Sequence, residues 1–205
     1  MTSKELLLAT TNQGKIKEIK EYLADLALEI ISLKELSPNS VFAEKGKTFL
    51  ENARGKSLFY SQQHKFFTLA EDSGLEIEYL EGAPGVFSSR FSGPQATDEE
   101  NIQKVLRLMK GVPLNQRKAQ FISCLALTDK GEIITEIRER VKGLIIFEKK
   151  GNYGFGYDPI FFYPPLKKTF AELSPEKKNR VSHRGRALKK LKAFLLLHLE
   201  TEKKT

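Results

Sequence analysis

Apolar positions recur along the amino-terminal part of the chain at two spacings. Residues 5–10 form a short, mostly apolar run, which is typical of a buried strand. A polar loop follows, and then Ile16, Ile19, Leu23 and Leu26 recur every three or four positions. This spacing places the four side chains on one face of a helix. The pattern therefore predicts a strand, a loop and an amphipathic helix in that order.

Strand and helix patterns continue to alternate along the rest of the chain. Thr48 and Glu51 have the spacing of a capping box, so we predict a helix from there to about Gln63. Turn residues 129–131 separate two apolar segments, which is typical of a hairpin. The remaining predicted elements are a strand at 30–33, a loop through residues 37–39, a half-exposed strand at 75–80, a helix beginning at Asp98, strands at 118–128 and 132–147, a helix beginning at Ser174-Pro175 and a last amphipathic helix after Ser182.

The apolar run at residues 66–70 ends in Glu71-Asp72-Ser73-Gly74. A strand that carries acids to its carboxyl end and then breaks is how α/β proteins present a metal or a general base. Successive strand side chains point to opposite faces, so we expect Asp72, which is nearer the predicted turn, to carry the chemistry. Turn formation alone explains the same residues, because Asp and Gly are favoured in turns.

The loop after the first strand contains Gly14 and Lys15, with Thr11 or Asn12 as the helix N-cap. Backbone N–H groups and the positive dipole end at a helix start favour an anion, most simply a phosphate. The Walker pattern is absent, because Lys15 is followed by Ile16. An ordinary strand-to-helix turn is the alternative.

Three further residues near the second predicted helix are candidates for the same chemistry. Helix capping explains Glu51, whereas Glu44 is either a solvated loop residue or a second carboxylate for a metal shared with Asp72. Asn52 and Lys56 lie one turn apart on one face of the helix, so they either reach a phosphate or are exposed.

Residues 151–159 interleave three glycines with three aromatic residues and end in Asp158-Pro159. Glycine permits close backbone approach, and an exposed aromatic ring can stack on a flat ligand such as a base. A glycine-rich loop with its aromatic side chains buried is the competing interpretation.

Charge is distributed unevenly in this chain of 205 residues and net charge +8. Residues 1–165 hold 22 basic and 22 acidic residues, whereas residues 166–205 hold 12 and 4. The excess indicates an anionic partner near the C-terminal segment (nucleic acid, a membrane surface or nucleotide phosphates), or else a solvated helix face. His183 and Arg184 fall in the first turn of the last predicted helix, where anions are favoured.

Several features indicate a cytoplasmic protein without a membrane partner. No apolar run approaches the ~20 residues that a membrane span needs, and the first residues do not resemble a signal peptide. The single cysteine, Cys124, lies in a strand-like apolar context and suggests a reducing compartment.

Six motifs, taken in order, resemble the inosine triphosphate pyrophosphatase (Ham1-like) family. They cover nearly the whole chain and are found at residues 10–15, 44–53, 71–75, 84–86 with Ser89-Arg90, 154–159 and 182–185. The resemblance implies an α/β fold with a mixed twisted sheet flanked by helices and two lobes with a central substrate cleft. It places residues 1–205 in a single two-lobed domain, with a frayed tail at about 200–205.

The resemblance also implies a function. It is the Mg²⁺-dependent hydrolysis of nonstandard purine nucleoside triphosphates (ITP, dITP and XTP) to the monophosphate and pyrophosphate, usually by a homodimer. Asp72 would be the catalytic residue that activates water, and Glu44 and Asp72 would bind Mg²⁺. The implied substrate-binding residues are Thr10, Thr11, Asn12, Gln13, Gly14, Lys15, Lys56, Ser73, Phe155, Gly156, Tyr157, Asp158, Lys178, His183 and Arg184.

Within that set, residues 10–15 would hold the phosphates. The base and the sugar would be held by residues 155–158, Lys178, His183 and Arg184. Lys178 and Arg184 are the candidates to donate to the purine O6. Glu71 departs from the family pattern, which often has Asp at this position. Two alternatives are a basic nucleic-acid-binding protein and a non-catalytic nucleotide-binding regulator. If the chain is the hydrolase, we expect no stable nucleic-acid partner.

Overall fold

The computed structural model describes residues 4–36, 40–64 and 67–202. Phe66, the first residue of the predicted apolar run, and the predicted loop at residues 37–39 lie outside these ranges, as do residues 203–205 of the expected tail.

Within the described residues, seven strands form one sheet in the order β2-β1-β3-β4-β5-β6-β7. β1 is parallel to both β2 and β3, whereas β6 is antiparallel to β5 and β7. The sheet is therefore mixed and helices flank it, which confirms the predicted α/β class. The strands are β1 (Lys4–Leu8), β2 (Leu28–Ser32), β3 (Phe67–Ile77), β4 (Lys118–Asp129), β5 (Glu132–Ile145), β6 (Phe161–Tyr163) and β7 (Lys168–Thr169).

The helices begin where the sequence supplies caps. Asn12, Thr48, Thr97 and Ser174 each accept a hydrogen bond from a backbone N–H of the first helical turn. None of the helices within the described ranges is long and apolar enough to cross a membrane. The helices are α1 (Gln13–Leu23), α2 (Leu33–Leu36), α3 (Phe49–Gln63), α4 (Asp98–Leu108), α5 (Pro175–Val181) and α6 (His183–Glu202).

The predicted strand break after Asp72 is wrong, because β3 runs without interruption from Phe67 to Ile77. Gly74 is needed there for close approach, not for a turn. A Cβ on Gly74 would lie 2.2 Å from Ser88 Oγ and 2.9 Å from the Gly85 carbonyl oxygen. The separate strand predicted at residues 75–80 is the end of β3 followed by a short 3-10 helix, Glu78–Leu80.

The chain divides into two compact units. The first comprises the described parts of residues 1–72, 123–139 and 184–205. Its strand β1 is buried on both faces, as parallel strands are when helices cover them. Leu6 and Leu8 pack in a cluster with residues of α1 and α6, whereas Leu7 packs in a second cluster with Tyr60 of α3.

The second unit comprises residues 73–122 and 140–183. Its core joins apolar residues of α4 and of the strand segments in this unit to an aromatic group of Phe121, Phe161 and Phe170. Arg117 is also buried in this unit. Its guanidinium donates to the carbonyl oxygens of Met109 and Ile145, at 2.7 Å each, so its role there is structural.

Candidate functional site

In the first unit, the loop between β1 and α1 presents a helix N-terminus. Asn12 caps α1, because its Oδ1 accepts the Lys15 amide at 3.0 Å, and Thr10 Oγ1 accepts the Asn12 amide at 3.2 Å. Thr11, Asn12 and Gln13 are exposed, while Gly14 and Lys15 are half-buried. The amides of Gln13 and Gly14 have no partner within the helix, because the first N–H groups of any helix lack a carbonyl acceptor one turn before them. The loop therefore offers backbone donors to an anion.

Asp72 lies on β3 in the same unit and is buried. Its Oδ2 accepts a hydrogen bond of 2.9 Å from Asn52 Nδ2 of α3. Burial raises the pKa of Asp72 above its ordinary value and the nearby Glu44 carboxylate adds to the rise, while Lys15 and Lys56 oppose it. A buried carboxylate with a raised pKa is a typical feature of a general base.

Lys56 and Glu44 form an ion pair in the first unit. Lys56 is buried, and its Nζ also lies 3.4 Å from the backbone carbonyl oxygen of Glu71. Of the two alternatives for Asn52 and Lys56, mere exposure is therefore wrong. α3 directs both side chains toward the segment of β3 that carries the two acids.

Glu71 contacts helix α6, whereas the adjacent Asp72 contacts helix α3. The two carboxylate oxygens of Glu71 share the Arg184 Nε–H, at 2.8 and 3.0 Å, and one of them also accepts a hydrogen bond of 2.8 Å from Ser123 Oγ. Arg184 NH1 also pairs with Glu18 of α1. Burial by itself would raise the pKa of Glu71, but Arg184, Lys15 and the hydrogen bonds outweigh it and lower that pKa to about 2. Glu71 is therefore ionised at neutral pH and anchors the Arg184 side chain.

Lys15 lies in the field of all these groups. Loss of solvent lowers the pKa of its ammonium, and Lys56 and Arg184 lower it further, whereas Glu71 and Asp72 raise it. Lys15 therefore lies within the electrostatic field of two carboxylates and at a helix N-terminus. Such a position suits a group that contacts a phosphate oxygen.

The residues of the first unit fit a divalent cation that arrives with a phosphate ligand. Glu44 and Asp72 interact electrostatically and both offer carboxylate oxygens. Among the described residues there is no cluster of three or more His, Cys, Asp and Glu side chains able to hold a metal alone. Mg²⁺ commonly uses one or two carboxylates together with substrate phosphates, and two carboxylates match that pattern.

The second unit contains its own buried charge pair. Lys178 of α5 pairs with Asp158, and each side chain is only 3% exposed. Asp158 Oδ2 also accepts the Phe155 amide at 3.0 Å, and the Lys178 ammonium lies 4.8 Å from the centre of the Phe155 ring. The glycine-rich loop therefore places one half-buried aromatic ring beside a buried cation.

The other predicted residues of this unit differ in how accessible they are. Tyr157 is 4% exposed and its hydroxyl donates to the Ser88 carbonyl at 2.8 Å, so its ring is part of the core. Burial raises the pKa of this hydroxyl well above its ordinary value. His183 is also buried and stacks on Phe121 with ring centres 4.6 Å apart. Ser73 and Gly156 are half-buried.

Two residues of these networks, Glu18 and Ser123, were not among the sequence candidates. Asn52 had been left open between a phosphate contact and an exposed position. Glu18 carried a weak signal, because it lies three positions after Lys15 and next to the buried Ile19, on a helix predicted to be amphipathic. Ser123 carried none, since a small polar residue in an apolar strand has many ordinary explanations.

The first unit thus brings together a helix N-terminus, two lysines and a buried carboxylate, which define a protein that handles phosphate-bearing ligands. The Ham1 family model matches residues 6–194. The chain belongs to the Ham1 family.

Individual relatives agree with this assignment. The dITP/XTP pyrophosphatase of Clostridium perfringens is 47% identical over 196 residues, which cover 92% of this chain and 96% of that protein. The dITP/XTP pyrophosphatase of Bacillus subtilis is 44% identical over 192 residues, covering 94% of this chain and 97% of that protein. Among solved structures, the Staphylococcus aureus Ham1 protein has a TM-score of 0.84 at 39% identity, over 95% of this chain and 100% of the other.

Proposed function

We propose that this protein is a nucleoside-triphosphate pyrophosphatase. It would hydrolyse nonstandard purine nucleotides such as dITP, ITP and XTP to the monophosphate and pyrophosphate. The names of the C. perfringens and B. subtilis relatives support the reaction class. The observation that carries the proposal is the Asp72 carboxylate, which is buried, has a raised pKa and accepts a hydrogen bond from Asn52 in the unit that also contains Lys15 and Lys56.

The first unit is assigned the triphosphate. The amides at the start of α1 and the Lys15 ammonium bind phosphate oxygens, because both are donors suited to an anion. Asp72 accepts a proton from the attacking water. Lys56 positions Glu44 through their ion pair. When bound, Mg²⁺ would neutralise phosphate charge, and Glu44 and Asp72 are the residues that would hold it.

The second unit is assigned the base. Phe155 offers a ring for stacking, and the neighbouring Lys178 is the proposed donor to a purine O6. Adenine has an amino group at that position, so a donor there would be left unpaired, at a cost of ~1–3 kcal/mol. Arg184 was the other candidate for the O6 contact. It donates to Glu71 and Glu18 instead, which supports a structural role.

Two further parts of the proposal come from the sequence analysis. The single cysteine and the first residues of the chain suggested that the protein acts in the cytoplasm, and the family resemblance implied that it forms a homodimer. The nucleic-acid alternative has less support than the charge excess suggested, because two of the C-terminal lysines form ion pairs. Lys190 pairs with Glu139, and Lys192 pairs with Asp25.

A nucleotide panel tests the reaction. The protein is incubated with dITP, ITP, XTP, dATP and dGTP in the presence of Mg²⁺, and pyrophosphate is resolved from orthophosphate. We expect pyrophosphate from the first three nucleotides and loss of the activity when Mg²⁺ is chelated. Orthophosphate as the first product would contradict the proposal. Nucleotide binding without turnover would favour the non-catalytic nucleotide-binding regulator. Binding to duplex DNA that weakens steeply with rising salt concentration, without nucleotide hydrolysis, would favour the nucleic-acid-binding protein.

Replacement of Asp72 tests the catalytic assignment. We expect Asp72→Asn to lower kcat by at least ~100-fold, because general-base removal commonly costs that much, while the nucleotide still binds. Asp25→Asn is the matched control, since this exposed acid pairs with Lys192 and should leave kcat unchanged. A kcat close to that of the unaltered enzyme in Asp72→Asn would contradict the role of Asp72.

A further inference from the structure

The side chain of Asn52 joins two segments of the first unit that are far apart in sequence. Its Nδ2 donates to Asp72 Oδ2 at 2.9 Å, and its Oδ1 accepts the Gly46 amide at 2.8 Å. The residue is only 1% exposed. One amide group therefore connects the strand that carries Asp72 with the loop that carries Glu44.

The backbone of Asn52 is held in a capped helical turn. It lies in the first turn of α3, where its own amide donates to the Thr48 carbonyl at 3.1 Å. The preceding residue, Glu51, also binds the loop, because its Oε2 accepts the Lys47 amide at 2.8 Å. Two consecutive side chains of this capped turn thus hold two consecutive amides of the loop. The loop that carries Glu44 is fixed to α3 just beyond that residue.

Gly46 supplies independent evidence that this approach is close. A Cβ at that position would lie 2.6 Å from Asn52 Oδ1 and 2.9 Å from Glu51 Cβ. Both distances are below any normal carbon contact, so a larger residue would push the loop away from α3. A glycine at residue 46 lets its amide reach the Asn52 acceptor.

We propose that Asn52 is a positioning residue for the reaction. It orients the Asp72 carboxylate and ties that orientation to the position of the Glu44 loop. The inference rests on the proposed function, because it assigns Asp72 and Glu44 their chemistry. Asn52 itself contacts neither water nor substrate in this role and acts through Asp72. A displacement of about 1 Å at a reacting group can cost ~10²-fold in rate, so this bond has a measurable consequence.

Two substitutions separate the two hydrogen bonds. Asn52→Ala removes both, whereas Asn52→Asp keeps an acceptor for the Gly46 amide but replaces the amide donor to Asp72 with a second carboxyl group. We expect either change to lower kcat by ~10–100-fold, with KM for dITP changed much less, since orientation of a base acts mainly on the chemical step. Hydrogen exchange of the Gly46 amide should accelerate in Asn52→Ala and stay slow in Asn52→Asp.

Asn101 provides the matched control. It is 2% exposed, and its side chain likewise makes two hydrogen bonds, accepting the Ser92 amide at 2.8 Å and donating to the Ser89 carbonyl at 3.2 Å. Asn101→Ala therefore removes a comparable pair of buried bonds in α4. We expect a loss of unfolding free energy similar to that of Asn52→Ala, and kcat within about threefold of the unaltered enzyme.

The outcomes distinguish this inference from the proposed function. If the unaltered protein hydrolyses none of the nucleotides, the proposed function itself fails. If it is active and Asn52→Ala keeps kcat within twofold, only the positioning role is overturned. The same conclusion follows if Asn101→Ala and Asn52→Ala lose kcat equally, because the effect would then come from general destabilisation. Loss of kcat in Asn52→Asp with the Gly46 amide still protected supports the role.

Discussion

Replacing Glu71 by Gln tests the buried network most directly. The Glu71 carboxylate is 1% exposed and accepts hydrogen bonds from Arg184 and Ser123, while Arg184 also pairs with Glu18. Gln keeps the length of the side chain and one acceptor oxygen but removes the charge. The change therefore leaves a buried guanidinium with one anionic partner instead of two.

The expected size of the effect follows from the pKa of Glu71. This pKa falls from an ordinary 4.5 to about 2 on folding, and a shift of one pKa unit corresponds to about 1.4 kcal/mol. Ionised Glu71 therefore contributes ~3 kcal/mol to the free energy of unfolding at neutral pH. Breaking a buried ion pair by removing one partner costs a similar ~3–5 kcal/mol. Because the folded-state pKa is depressed, the contribution is complete above pH 4.5 and is lost as the pH falls toward 2. By pH 3 about 2 kcal/mol of it should be gone.

Urea unfolding in metal-free buffer at several pH values measures this contribution. We expect Glu71→Gln to lower the free energy of unfolding by ~3 kcal/mol at pH 7, and the gap to the unaltered protein to narrow to ~1 kcal/mol by pH 3. Glu99→Gln is the control. Glu99 is exposed, and its pKa is lowered chiefly by a hydrogen bond from Lys149, so its removal should matter little at either pH. A gap that stays constant from pH 7 to pH 3 would refute the reasoning.

Two further substitutions test the packing of the second unit, each measured by urea unfolding. Gly74→Ala should lower the free energy of unfolding by ~1–3 kcal/mol, because the new methyl group would displace Ser88 Oγ, which accepts the Leu75 amide at 2.9 Å and donates to the Gly85 carbonyl. An unchanged urea midpoint would contradict the close approach. Tyr157→Phe should cost ~1 kcal/mol, because the Ser88 carbonyl loses its phenol donor. A higher free energy of unfolding in Tyr157→Phe would show that this hydrogen bond makes no net contribution to the stability of the fold.

Features that depend on a few neighbouring residues could be predicted from the sequence. The caps at Asn12 and Thr48 are examples, because a helix N-terminus is recognised by side chains within the same turn. The hairpin at residues 129–131 is another, since Lys130 and Gly131 both have positive φ, at 50° and 84°, as a tight two-residue turn requires.

Features that depend on distant residues could not be predicted in this way. Gly74 belongs to a continuous strand because Ser88 and Gly85 lie against it, and neither is near it in sequence. The same Ser-Gly pair would form a turn in other surroundings, so local residue preferences favoured the wrong element. The burial of Tyr157 within the glycine-rich loop likewise depends on its contact with the Ser88 carbonyl.

Glu71 and Asp72 show where prediction from the strand pattern ends. Alternation requires the two side chains to point to opposite faces, and in the first unit Asp72 contacts Asn52 of α3 while Glu71 contacts Arg184 of α6. Alternation cannot say which helix covers which face, and that choice decides the chemistry. The face toward α6 surrounds Glu71 with Arg184 and holds its pKa at about 2, whereas on the face toward α3 burial raises the pKa of Asp72. Two adjacent acids thus acquire opposite properties from the helices against which they pack.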